Sequence, residues 1–207
     1  MLGFVLTALA GCGGSAKQSE DPGLETLGAF LHAAEEGNAD LMRGLLSLAS
    51  SRRLGTDALT KLAARLEPLA RSYRVVVSER ITDDFGVAAV KGSTRVYAAA
   101  LRREGEEWRL ELGGPVTIKP LGPDPGSREK LVQQVGAEVE GGTGSGDVVL
   151  YLDGVPIPFT KVYGGGRSFT AYANLPSPVK VGRHSIVAFA GRQGDASALA
   201  WTFSVPR

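Results

Sequence analysis

Tyr73-Arg74-Val75-Val76-Val77-Ser78-Glu79-Arg80-Ile81 decides the fold. The run is rich in β-branched residues and reads as a strand, and the hydrophobic period changes across it. Ahead of it, apolar residues recur at helical spacing. Leu24, Leu27, Leu31 and Ala34 form one face, with Glu35-Glu36 on the wet side. Gly37 stops that helix, and Asn38 caps a second one from Ala39 to about Ala49. After Ser50-Ser51-Arg52-Arg53-Leu54-Gly55, Thr56 or Asp57 caps a third helix with the face Leu59, Leu62, Ala63, Leu66 and Leu69. Pro68 predicts a kink or an end near Glu67.

Behind the deciding run the pattern is that of strands. Thr82 to Gly86 is a turn. Val87–Val90, Thr94–Leu101 and Trp108–Leu112 follow as strands, with Arg103 to Glu107 as a hairpin loop. Helices first and a sequential antiparallel sheet afterwards is an α+β plan, in which the helices cover one face of a curled, cone-like sheet. Pro120-Leu121-Gly122-Pro123-Asp124-Pro125-Gly126 then reads as a stiff linker. Beyond it the pattern is all β: Leu131–Val139, Val148–Leu152, Val155–Ile157, Phe169–Ala173, His184–Ala190 and Leu199–Val205. Short strands separated by Gly/Pro turns describe a sandwich. Trp201, Phe203 and Val205 point inward and Thr202 and Ser204 outward.

Leu2 to Ala10 is an apolar run too short to span a bilayer as a helix. It ends in Leu9-Ala10-Gly11-Cys12, and Gly13 to Gly23 is polar and rich in breakers. The chain has one cysteine, and it falls at this junction. These first residues resemble bacterial lipoprotein signal peptides. The resemblance implies cleavage before Cys12, acylation of its sulfur and export. Two or more acyl chains, at about 0.8 kcal/mol per buried methylene, hold a protein on a membrane without a transmembrane helix. The other reading of the same residues is a short apolar N-terminus with an isolated cysteine.

Leu24 to about Lys119 resembles the nuclear transport factor 2-like superfamily, through Ala33-Ala34-Glu35-Glu36-Gly37-Asn38-Ala39-Asp40 and Gly105-Glu106-Glu107-Trp108-Arg109-Leu110. That resemblance implies a cone whose mouth takes a small apolar ligand, and some members are isomerases or cyclases. Tyr97 and Trp108 are the candidate pocket-lining residues; the alternative is that they fill the core between sheet and helices. The second half resembles bacterial immunoglobulin-like domains, through Leu150-Tyr151-Leu152-Asp153-Gly154, Val181-Gly182-Arg183-His184-Ser185-Ile186-Val187 and Trp201-Thr202-Phe203-Ser204-Val205. The expected organisation is a signal peptide over 1–11, a tether over 12–23, a cone-like domain over 24–119, a linker over 120–126 and a sandwich over 127–207.

Composition and motifs argue against most chemistry. The formal net charge of +1 disfavours an electrostatic nucleic-acid binder. His32 with Glu36 is a single i,i+4 pair without a third ligand. His184 is expected to satisfy a turn carbonyl. Asp83-Asp84 sits in a turn and reads as solvated. Asp153 with Asp147 matches no EF-hand spacing, and Asp153-Gly154 is a hairpin signal. The glycine runs at 141–146 and 164–166 lack the ending and context of a phosphate loop. No cofactor and no metal is expected. The expected function is a non-catalytic binding or scaffolding module of the cell envelope. Its expected partners are the membrane, through lipid on Cys12, and an envelope protein. The alternative is a small apolar ligand-binding or isomerase-type protein using the cone.

Overall fold

A computed structural model describes residues 23–141, 147–163, 168–192 and 194–207. Cys12, the signal and tether segments, and most of the two glycine runs lie outside the described residues. The chain is α+β: four helices, then antiparallel sheets.

Helix α1 covers Leu24–Glu35 and buries Leu27, Phe30, Leu31, Ala33 and Ala34. The second predicted helix is two short ones, α2 (Ala39–Gly44) and α3 (Leu48–Arg53). Asn38 caps α2 by accepting from the Leu41 N–H at 3.1 Å. The break between them has two causes. Leu45 and Ser47 exchange backbone hydrogen bonds with Leu110, and Ser47 Oγ accepts from the Ser50 N–H at 3.1 Å, starting a new helix. Helix α4 runs Thr56–Ala70 from an N-cap at Gly55, without a side-chain cap from Thr56 or Asp57. Pro68 does not end it. One amide bond is missing there, but Leu66 and Leu69 are buried on either side and hold the last turn in place.

Strands β1 (Arg74–Arg80), β2 (Phe85–Lys91), β3 (Val96–Glu104) and β4 (Glu107–Glu111) form a meander in that order. Next come β5 (Thr117–Gly122), β6 (Gln134–Glu140), β7 (Asp147–Leu152), β8 (Val155–Ile157), β9 (Lys161–Tyr163), β10 (Ser168–Asn174), β11 (Gly182–Arg192) and β12 (Asp195–Val205). They build two further antiparallel sheets, ordered β5-β6-β10-β9 and β12-β11-β7-β8.

The stretch read as a linker is built into these sheets. Thr117 to Gly122 pairs with β6, Trp201 Nε1 donates to the Pro123 carbonyl at 2.8 Å, and the Gly126 N–H reaches the Thr202 carbonyl at 2.6 Å. Pro120 is compatible with the edge strand β5, where a missing N–H leaves no ladder bond unmade, and Pro123 and Pro125 follow the strand.

Three apolar clusters fix the order of layers. Helices α1, α2 and α4 pack on one face of the meander, over Ala88, Val90, Ala99, Leu101 and Leu110. Its other face, bearing Val77, Phe85, Val87, Ala89, Ala98 and Ala100, meets Tyr151, Val187, Phe189 and Ala196 of the β12-β11-β7-β8 sheet. The opposite face of that sheet, with Leu150, Ile186, Ala188, Trp201 and Phe203, packs on Val135, Ala137, Phe169 and Ala171 of the remaining sheet. The layers are therefore helices, sheet, sheet, sheet. Strand alternation allows it, because residues 186, 188 and 190 face one way and 187 and 189 the other. The meander is covered on both faces, so the side opposite the helices is a packed layer.

Candidate functional site

Four places in the fold gather polar, charged or aromatic side chains from different elements. The first is a cleft between α4 and the start of β3, about 300 Å³ in volume, lined by Leu62, Arg65, Leu66, Leu69, Arg95, Val96 and Tyr97. Gly92 lets the β2–β3 turn close onto the helix. A Cβ there would meet Leu69 Cδ1 at 2.9 Å, and the turn is pinned by the Gly92 N–H donating to the Arg95 carbonyl at 2.8 Å. Arg95 Nη1 in turn donates to the Arg65 carbonyl at 2.9 Å, tying turn to helix. Burial pushes the Tyr97 phenol well above the usual tyrosine range, and the nearby Arg65 charge works in the opposite direction.

Tyr97 and Trp108, the two candidate pocket residues, are not brought together. Both pack against the helical cluster. Trp108 pairs with Arg103, six positions along β3 from Tyr97, roughly 20 Å at the usual strand rise. Tyr97 lines the cleft and Trp108 does not.

The second place is a buried carboxylate. Glu111 lies at 1% exposure on edge strand β4. Its Oε1 accepts from Arg53 Nη1 at 3.1 Å; its Oε2 accepts from Arg102 Nε at 2.8 Å and from Ser47 Oγ at 2.6 Å. Arg53 also pairs with Asp195 Oδ1 at 2.9 Å, and Arg102 donates to the Gly194 carbonyl. Two positive and two negative side chains thus join α3, the meander and the β11–β12 hairpin. Both carboxylate oxygens of Glu111 are occupied, so the cluster is closed to a substrate. Arg102 also stacks over Phe85, 5.3 Å from the ring centroid. Sequence reasoning missed this cluster. Glu111 alternates with Leu110 and Leu112 and so looks solvent-facing, and nothing local signals arginines arriving from positions 53 and 102.

The third is the β7–β8 hairpin. Asp153 and Gly154 both have positive φ, 51° and 87°, as an Asp-Gly hairpin turn requires. Asp153 Oδ1 accepts from the Ser185 N–H at 2.9 Å and from Ser185 Oγ at 3.1 Å, and Oδ2 lies 2.6 Å from His184 Nδ1. Burial opposes ionisation of Asp153, yet the hydrogen bonds from His184 and Ser185 hold its carboxyl below the usual range. His184 Nε2 lies 2.8 Å from the Lys180 carbonyl. The Asp153 oxygens are thereby committed to protein donors, and the side chain of Asp147, its suggested calcium partner, lies outside the described residues.

The fourth place is the seam between the meander and the β12-β11-β7-β8 sheet. Tyr151 Oη donates to Glu79 Oε2 at 2.8 Å. Arg183 donates to the carbonyls of Ser93 and Thr94. These bonds ring the apolar contact described above.

His32 and Glu36 form an exposed pair at 3.4 Å, and Asp83 pairs with Arg80 on an exposed turn. Among the described residues, no group of three His, Cys, Asp or Glu side chains has metal-binding geometry. No helix among them is long and apolar enough to cross a membrane. No family model and no curated protein matches the chain.

Proposed function

We propose that the chain is an exported lipoprotein, held on the membrane through acylated Cys12 and acting as a non-catalytic binding or scaffolding module of the cell envelope. The observation that carries this is Leu9-Ala10-Gly11-Cys12, with the only cysteine of the chain directly after an apolar run and small residues. The rigid build of the rest supports a scaffold. The Glu111 and Asp153 clusters spend their carboxylate oxygens on neighbouring elements, and three apolar clusters knit the layers together. In this reading the first half is of the nuclear transport factor 2-like kind and the second half immunoglobulin-like. The helix–Gly37-Asn38–helix join supports the former assignment. The strict alternation of Trp201, Phe203 and Val205 against Thr202 and Ser204 supports the latter.

The test is fractionation. Wild-type protein is expected in the membrane fraction and Cys12→Ser in the soluble fraction. Equal membrane retention of the two would overturn the anchor.

A second reading, binding of a small ligand by the first half, is favoured by the Tyr97 cleft. It places the ligand on the helix side of the meander, because the opposite face is occupied by Tyr151, Val187 and Phe189.

A further inference from the structure

One end of the seam between the meander and the β12-β11-β7-β8 sheet gathers cations from three strands. Arg74 on β1 and Lys91 on β2 stand directly opposite each other, an arrangement of like charges that costs stability. Lys91 Nζ makes no hydrogen bond among the described residues. The one carboxylate within its range is Asp153, whose Oδ1 is 4.0 Å away and already accepts twice from Ser185. Burial pushes the Lys91 ammonium down; Asp153 opposes this, and the charges of Arg74 and Arg183 add to it. Arg183 reaches from β11 to the carbonyls of Ser93 and Thr94, neutral acceptors that leave its charge uncompensated. Lys180 is exposed just ahead of it, its carbonyl 2.8 Å from His184 Nε2.

The apolar residues between these cations are open to water and do not belong to the core. Tyr73, Val75, Val155 and Val181 are 37%, 41%, 65% and 57% exposed. The two kinds of residue interleave. Tyr73 and Val75 flank Arg74, and Val181 lies between Lys180 and Arg183. Val155 follows Gly154, which packs against the Val76 carbonyl of β1.

We propose that this end of the seam docks on an anionic lipid bilayer, with its cations at the headgroup phosphates and its exposed valines and Tyr73 at the headgroup–acyl boundary. Charge complementarity selects the headgroups. Phosphate oxygens supply the acceptors that the Lys91 ammonium lacks and relieve the repulsion between Lys91 and Arg74. The open apolar residues select a bilayer over a soluble polyanion, which would leave them in water. A tyrosine ring with its polar tip suits the membrane–water boundary. Reach permits the contact. A Cβ at Gly28 would meet Tyr73 Oη at 3.2 Å, about 6 Å along α1 from Leu24. The ten residues between Cys12 and Gly23 span up to about 35 Å. The inference rests on the envelope reading, which supplies the bilayer.

The experiment uses the full chain carrying Cys12→Ser, sedimented with vesicles of equal parts phosphatidylglycerol and phosphatidylcholine, or of phosphatidylcholine alone. Binding to the anionic vesicles should be about tenfold or more tighter, and raised salt should release it. Arg74→Gln and Lys180→Gln should each weaken it about fivefold, and Val155→Asp about tenfold or more. These positions are exposed, so thermal melts of the variants should match the parent. Arg52→Gln is the control, an exposed cation on α3 beside β4 at the opposite edge of the meander, and should change nothing. All variants share the apolar N-terminal run, so differences among them report the docking surface. Equal binding to both vesicles, or losses no larger than that of Arg52→Gln, would overturn the proposal. So would tighter binding to polyglutamate than to the anionic vesicles, which would make the surface one for an acidic polymer. The anchor is read separately. An acylated Cys12 without these losses sinks the docking surface alone, and an unmodified Cys12 with them sinks the anchor alone.

Discussion

Arg102 Nε donates to Glu111 Oε2 at 2.8 Å in a setting where the carboxylate side chain is fully buried and the guanidinium is one-fifth exposed. Arg102 then continues to the Gly194 carbonyl, while Arg53 links the same carboxylate to Asp195. One buried charge therefore ties residues more than 80 positions apart in sequence.

Glu111→Ala is expected to lower stability by about 2–3 kcal/mol, because Arg102, one-fifth exposed, loses its carboxylate, while Arg53 keeps Asp195 and Ser47 Oγ keeps Ser50. Urea unfolding checks this. A loss under 1 kcal/mol would mean that Arg53 and Arg102 relax into solvent.

Gly154 and Gly37 make a matched pair. Both have positive φ, but a Cβ at Gly154 would stand 2.4 Å from the Val76 carbonyl oxygen, whereas one at Gly37 would meet nothing within 4 Å. Gly37→Ala should cost about 1 kcal/mol from the left-handed backbone alone. Gly154→Ala should cost more than that, because the hairpin must also move off β1. Thermal melts of the two variants give the comparison, and equal losses would remove Val76 from the explanation.

Asp153 supplies a pH dependence at the acid end. Its carboxyl is held below the unfolded value, so the stability it contributes is fully present above about pH 4 and is lost as the pH falls further. Asp153→Asn tolerates the same backbone conformation but accepts less well from His184 and Ser185. It should cost about 1–3 kcal/mol at neutral pH and flatten the acid limb of a stability–pH profile.

Tyr97 and Tyr151 act at the alkaline end. Burial raises both phenols, and for Tyr151 the bond to Glu79 adds to it. The neutral forms are favoured in the folded chain, so this contribution is intact below about pH 10 and is lost as the pH rises beyond it. In an absorbance titration these two of the five tyrosines should stay unionised until the chain unfolds. Tyr151→Phe should cost about 1 kcal/mol, since Glu79 is exposed and can return to water.

Much of the fold was legible because local signals agreed with the final packing. Asn38 capped the helix it was expected to cap, Asp153-Gly154 made its hairpin, and His184 found a turn carbonyl. The errors came where tertiary contacts overrode local pattern. Leu45 and Ser47 bond to Leu110 and split a helix, and Pro120 to Gly126 reads locally as a linker because its partners, β6 and Trp201, are distant in sequence. The covered outer face of the meander did have a signal. Gly86 to Val90 and Ala98 to Leu101 are unbroken small or apolar runs, the mark of strands buried on both sides. Of the candidate site, Tyr97 could be picked out as an aromatic on a strand. Arg65 and Arg95 could not, because their convergence depends on how the β2–β3 turn meets α4.

The most direct test of the central claim is intact-mass analysis of the protein isolated from the host membrane. The account predicts a chain that begins at Cys12 and is heavier than residues 12–207 by two or three acyl chains with their glycerol. A mature chain with Met1 in place and an unmodified Cys12 would contradict it.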